Sequence, residues 1–74
     1  MKLSDLNNGE IGIITGFDEG KTFKNKMAQL NIRQGKEIKK VVSEPFKGPV
    51  IIMVDNTRAA IGQGIANKIL VKKK

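Results

Sequence analysis

Short apolar stretches recur along the chain at intervals of about ten residues, a spacing typical of small all-β domains. They are separated by glycine, proline, asparagine and aspartate, which form turns and interrupt strands. The stretch VIIMV is apolar at every position, so we expect it to be buried on much of both faces. We predict five strands, over residues 10–17, 36–42, 50–54, 57–61 and 68–71.

The first of these stretches, EIGIITGF, alternates regularly between two faces. Its glycines, at positions 12 and 16, indicate a bulge or a tight bend, because a residue without a side chain accommodates such irregularities. We expect one face of this strand to point into the core, and that face carries Ile11, Ile13, Thr15 and Phe17.

Leu3 and Leu6 stand at helical spacing and predict a single helical turn near the start of the numbering. The turn-forming residues NNG follow at positions 7–9. We therefore expect this turn to place both leucines under the domain.

A second helical pattern covers residues 23–30. Phe23, Met27 and Leu30 fall at positions i, i+4 and i+7, which lie on one face of a helix. Thr22 is the expected N-cap, because its hydroxyl can accept a hydrogen bond from a free amide of the first turn.

Three glycines are predicted to shape turns. Gly35 ends the turn RQG and is expected at positive φ, where a side chain would clash. Gly62 and Gly64 lie between a strand and a helical turn, a place where Gly-x-Gly can also cradle a phosphate. The segment GQGIANK lacks the other residues of a phosphate-binding loop. We therefore predict a sharp turn with positive φ at one of the two glycines, after which Ile65 and Ala66 enter the core.

Together these elements predict a mainly-β, five-stranded SH3-like barrel over residues 1–74, with one short α-helix in the first long loop. Closure of the sheet would remove exposed strand edges. Residues 43–49 hold both prolines and predict a loop or hairpin connection, and Asp55-Asn56 predicts another turn. The predicted core comprises Leu3, Leu6, Ile11, Ile13, Phe17, Met27, Leu30, Ile32, Ile38, Val50, Ile52, Val54, Ile61, Ile65, Ala66, Ile69 and Val71.

The chain is strongly basic, with a formal net charge of +7 over 74 residues. Such an excess favours acidic partners, including nucleic acids, anionic membranes and acidic protein surfaces. Only two of the basic residues are arginines and the aromatic residues are three phenylalanines. Because arginine forks and stacked aromatics support much of nucleic-acid recognition, we do not expect a nucleic-acid partner.

The residue inventory gives little support to catalysis or to metal binding. The sequence contains no histidine and no cysteine, and Ser4 and Ser43 have no evident base partner. Asp18 and Glu19 are adjacent acids in a predicted loop and could hold a hard cation only weakly. We therefore predict no catalytic, metal-binding or nucleotide-binding residues and no cofactor.

No apolar run approaches the roughly 20 residues that a membrane-spanning helix requires, and residues 1–20 lack the apolar core of a signal peptide. We therefore expect a cytoplasmic protein without direct membrane insertion.

The order of several short motifs resembles the ferrous iron transport protein A family. These segments are LSDLNNGEIGIITGF, QLNIRQGKEI, GPVIIMV and RAAIGQGIANKILV, and they span nearly the whole chain. The family has Leu-Gly-Ile-x-x-Gly after its helix, and this chain has LNIRQG with Asn31 in place of the first glycine. Asparagine tolerates the left-handed conformation well, so this departure is compatible with the fold.

The resemblance implies a small SH3-like domain that accompanies a ferrous-iron permease and docks on its cytoplasmic, GTP-binding part. The protein would then be a non-enzymatic accessory module that modulates transport through protein–protein contact and does not chelate the metal itself, and we expect it to be monomeric. We expect docking at an apolar groove between helix and sheet, with Lys24, Lys26 and Arg33 as a positive rim along one edge.

Two alternatives remain open at this point. One is an SH3-like interaction domain related to the C-terminal domain of metal-dependent repressors. The other is a basic barrel associated with RNA or the ribosome, whose binding would weaken steeply with salt.

Overall fold

The computed structural model describes residues 1–43 and 48–74. Residues 44–47, which belong to the predicted connection over 43–49, lie outside the described residues. The strands are β1 Ile11–Phe17, β2 Glu37–Ser43, β3 Val50–Val54, β4 Thr57–Ile61 and β5 Ile69–Lys73. The helices are a 3₁₀ turn at Leu3–Asp5, α1 at Lys21–Gln29 and α2 at Gln63–Ala66.

The five strands form one antiparallel sheet in the order β4-β3-β2-β1-β5. Helix α1 lies in the first long connection, as predicted. Because the rest of the described regular structure is mostly this sheet, the mainly-β prediction is confirmed. Lys2 forms a bridge to Leu70, and the Met1 carbonyl accepts a hydrogen bond of 2.8 Å from the Val71 amide. The first residues of the chain therefore cover part of the outer edge of β5.

The predicted inward face of β1 is wrong. Ile14 is almost fully buried, whereas Ile11 is 36% exposed, Ile13 is half-buried and Thr15 is exposed. The register between β1 and β5 shifts between Ile14 and Gly16, which confirms an irregularity of the kind that the glycines indicate. A one-residue shift exchanges the two faces of a strand. A single alternating pattern over residues 10–17 therefore cannot assign the inward face correctly both before and after the shift.

Helix α1 begins and ends earlier than predicted. It starts at Lys21 after an extended Gly20, so Thr22 lies within the helix and is not its N-cap. Leu30, predicted in the core, is 50% exposed because the chain leaves the helix there. The predicted helical face therefore ends before the position i+7.

A Schellman motif ends α1. Asn31 adopts φ 64°, and its amide donates to the Ala28 carbonyl at 3.0 Å. The Ile32 amide donates to the Met27 carbonyl at 2.9 Å. Met27 and Ile32 are both buried, which supplies the apolar contact that accompanies this motif. Ile32 thus packs in the core where Leu30 does not.

The remaining predicted core residues are buried or packed against the core. Phe17 and Ile65 are partly buried and contact the buried cluster. The buried members are Leu3, Leu6, Met27, Ile32, Ile38, Val50, Ile52, Val54, Ile61, Ala66, Ile69 and Val71.

Lys40 is a buried cation whose role the sequence pattern did not reveal. It follows Ile38 on the inward face of β2 and is only 7% exposed. Its Nζ donates to the carbonyl oxygens of Leu6, at 2.8 Å, and Ser4, at 3.1 Å. These bonds fasten the 3₁₀ turn to β2 and keep Leu3 and Leu6 against the core.

We predict that Lys40→Met lowers the free energy of unfolding by about 1–3 kcal/mol, because it leaves buried carbonyl groups without a donor. Lys39→Met, at the exposed neighbouring position, should change it by less than about 0.5 kcal/mol. Urea unfolding of both variants measures the difference. Equal stability of the two variants would contradict the role assigned to Lys40.

Candidate partner-binding site

A shallow groove of about 340 Å³ runs beside α1. Its apolar surface comes from the half-buried Phe17 at the end of β1 and Ala28 on the helix, and the buried Ile32 lies beneath them. Lys24 and Arg33 line the same groove and are exposed. We call this surface the helix groove; its full lining is Phe17, Lys24, Asn25, Ala28, Ile32, Arg33 and Gln34.

The structure brings together two of the three predicted rim cations. Lys24 and Arg33 both border the helix groove, whereas Lys26 is not part of its lining. Two residues along an α-helix correspond to roughly 200° of rotation, so Lys26 leaves α1 on a different side from Lys24. The apolar groove between helix and sheet is thus present, with a positive rim of Lys24 and Arg33.

An aromatic contact holds α1 against the sheet next to this groove. The rings of Phe17 and Phe23 meet edge to face with their centroids 5.9 Å apart. Lys68 lies on the turn that leads into β5, and its Nζ is 5.8 Å from the centre of the Phe23 ring. Phe17 therefore links the groove to the contact that orients the helix.

A polar cluster holds the other end of α1. The side-chain amide of Asn31 and the Nζ of Lys36 both donate to Asp55, the latter at 2.6 Å. Hydrogen bonds from Lys36 and then from Asn31 hold the pKa of the Asp55 carboxyl below its ordinary value. Asp55 and Asn56 both have positive φ, as in the two-residue turns that favour asparagine and aspartate. The predicted turn is therefore confirmed, and it is tied to the end of the helix.

The predicted left-handed turn at the glycine pair is wrong. Gly62 precedes α2 with φ −68° and ψ 156°, and Gly64 lies within α2. The amide of Ala66 donates to the Gly62 carbonyl at 3.0 Å. One extended residue followed by a helical turn reverses the chain with dihedral angles that any residue can adopt. Positive φ does occur at Gly35, at 91°, as predicted.

The two adjacent acids in the loop after β1 both contact Lys68. The Asp18 amide donates to the Lys68 carbonyl at 2.8 Å, and the Glu19 carboxylate lies 3.6 Å from the Lys68 Nζ. Within residues 1–43 and 48–74, no three acidic side chains are grouped so that they could hold one metal ion. None of the helices in these two ranges has the length and apolar character needed to cross a membrane.

Comparison with known proteins identifies the family. The family model described as the FeoA domain matches residues 1–73. A crystal structure of an iron uptake regulatory protein, FeoA, has 32% sequence identity and a TM-score of 0.91, and the match covers 100% of this chain and 97% of the other. A search of curated proteins finds no match.

Two more distant structures share the fold. FeoA from Stenotrophomonas maltophilia, complexed with zinc and described as a procaryotic SH3 domain protein, has 21% identity and a TM-score of 0.82 over 97% of this chain and 89% of the other. A role as a bacterial ferrous iron transport activating factor has been suggested for that protein. A manganese-dependent transcriptional repressor has 16% identity and a TM-score of 0.87, and the match covers 100% of this chain and 41% of the repressor. The SH3-like fold class is therefore confirmed.

We predict that Gly64→Ala raises the free energy of unfolding by about 0.5–1 kcal/mol, since alanine favours the helix and an added Cβ meets no atom within 4 Å. Gly35→Ala also has free space but lies at φ +91°, so it should lower stability by about 1 kcal/mol or more. Thermal or urea unfolding distinguishes the two effects. Destabilisation by Gly64→Ala would contradict the ordinary helical geometry at that position.

We also predict a loss of stability in acid. The pKa values of Asp55 and Glu10 are lowered from their ordinary 3.8 and 4.5, the second mainly by a hydrogen bond with Lys73. These contacts therefore stabilise the fold fully above those values and progressively less as the pH falls below them toward the lowered pKa values. Asp55→Asn, which tolerates positive φ, should make the unfolding free energy less dependent on pH below about 4. Parallel pH profiles for wild type and variant would contradict this assignment.

Proposed function

Because the chain belongs to the FeoA domain family, we propose that it is a non-enzymatic accessory protein of ferrous iron uptake. In this proposal it docks at the cytoplasmic face of the membrane on the GTP-binding part of an iron(II) permease and modulates transport. The observation that carries the proposal is the family match over residues 1–73. The iron uptake regulatory protein with 32% identity supports the same role.

The helix groove is the docking surface that we propose for this contact. Phe17 and Ala28, both half-buried, offer apolar area at its centre, and Lys24 and Arg33 stand at its rim. Protein interfaces commonly combine an apolar centre with a polar border of this kind. The rim would favour a partner surface with acidic residues around an apolar side chain.

Docking changes transport only if the module binds one state of the permease more tightly than another. A tenfold preference corresponds to about 1.4 kcal/mol, which a few rim contacts and a small apolar centre can supply. Such a module needs no chemistry of its own. This agrees with a sequence that contains no histidine and no cysteine.

We predict that Lys24→Glu combined with Arg33→Glu weakens binding to the isolated cytoplasmic domain of the permease at least about tenfold. Folding should persist, because both positions are exposed. The same variant should fail to restore ferrous-iron uptake to cells that lack the protein. Binding affinity is measured on purified proteins, and folding is checked by unfolding curves.

The matched control is Lys39→Glu combined with Arg58→Glu, which alters the charge equally at exposed positions outside the helix groove. Lys26→Glu tests the third predicted rim residue, and from its place on α1 we expect near-normal binding. If the Lys24 and Arg33 variant folds and binds as tightly as the wild type, docking does not use the helix groove.

A further inference from the structure

A row of alternating basic and apolar side chains crosses the outer face of the sheet. Arg58 on β4 pairs with Met53 on β3, Met53 pairs with Lys39 on β2, and Lys39 pairs with Ile11 on β1. The neighbouring positions Ile52 and Ile38 are buried, so this row lies on the opposite side of the sheet. Directly paired residues of adjacent strands have side chains close enough to form one continuous surface.

This row borders a second groove of about 480 Å³. Ile11, which is 36% exposed, and the half-buried Met53 supply its apolar part. We call it the sheet groove; its lining is Ile11, Gly35, Lys36, Glu37, Lys39, Met53, Asp55 and Asn56. It shares no lining residue with the helix groove.

The charges around the sheet groove are unequally engaged. Its two acids are already paired, since Asp55 accepts a hydrogen bond of 2.6 Å from Lys36 and Glu37 accepts bonds of 2.9 and 3.0 Å from Lys74. Lys39 in the lining and Arg58, which lies beside Met53 just outside the lining, are exposed, and within residues 1–43 and 48–74 neither forms a salt bridge. The charge left available to a partner at this face is therefore positive.

We propose that the sheet groove binds an acidic segment of a protein partner in which carboxylates flank an apolar side chain. Lys39 and Arg58 stand two strands apart, or about 9.5 Å, with Met53 between them. Carboxylates that contact these two cations would place the intervening apolar side chain on Met53, and Ile11, on the other side of Lys39, extends the apolar surface for the next apolar side chain of the segment. This binding activity goes beyond the docking proposed for the helix groove and does not depend on it.

The positive charge would also attract an anionic membrane, but the concave shape of the sheet groove favours a polypeptide segment. Met53 is half-buried between long exposed cations, so an inserted side chain can reach it whereas a flat layer of lipid headgroups contacts the cations first. The separation of the two grooves lets the chain hold a second partner while the helix groove is occupied.

The test uses the full ¹⁵N-labelled chain and a blocked synthetic peptide with the repeat Glu-Ser-Leu-Ser, which places glutamate and leucine alternately on one face of an extended segment. We expect the amide shifts that change with peptide to cluster at Ile11, Lys39, Met53 and Arg58. Binding should weaken several-fold between about 50 and 200 mM salt, and the same peptide with lysine in place of glutamate should not bind. Shifts that cluster at Lys24 and Arg33, or spread over all the lysines, would overturn the proposal.

Lys39→Glu combined with Arg58→Glu should weaken peptide binding about tenfold, while Lys24→Glu combined with Arg33→Glu leaves it unchanged. If the first variant folds normally and binds the peptide as tightly as the wild type, the assignment to Lys39 and Arg58 is overturned.

Phosphatidylserine vesicles test the alternative of an anionic membrane. If vesicles bind through Lys39 and Arg58 and the peptide does not bind, the proposed protein partner is wrong and the ligand of this face is a membrane. Each outcome is separate from permease binding, which is measured with the other variant pair.

Discussion

The contact between the Lys40 ammonium group and the carbonyls of Leu6 and Ser4 determines how the start of the chain joins the sheet. A short 3₁₀ turn leaves carbonyl groups without partners inside its own backbone. If such groups are buried, they need a donor from elsewhere. Lys40 supplies that donor, which lets Leu3 become fully buried where the turn contacts α2 and β5. A polar interaction thus makes an apolar contact possible.

A second polar cluster connects the two grooves. Asn31 belongs to the Schellman motif that positions Ile32 in the helix groove, and its side chain also donates to Asp55. Asp55 and its partner Lys36 line the sheet groove. A carboxylate that accepts bonds from both directions fixes the end of α1 relative to the turn between β3 and β4. The residue that departs from the family's glycine pattern therefore contributes a contact that glycine cannot make.

The candidate sites were only partly predictable from the sequence. Lys24 and Arg33 border an apolar groove beside α1, as expected, because the helical pattern placed that element correctly within the fold. Lys26 is close to Lys24 along the chain but leaves the helix on a different side. The sheet groove escaped prediction because Ile11 was assigned to the core, and its neighbours Lys39 and Met53 are distant in sequence.

By itself, the sequence determined the mainly-β class, the full extents of the strands at 50–54 and 57–61, and the positive φ of Gly35. These depend on local spacing and on the conformational preferences of single residues. Only the tertiary structure decided that Ile14 and not Ile11 is buried, and that Gly62 and Gly64 need no unusual dihedral angles. The apolar periodicity shows that every second side chain of β1 faces inward. The register of β1 against β5, with its shift, decides which side chains those are.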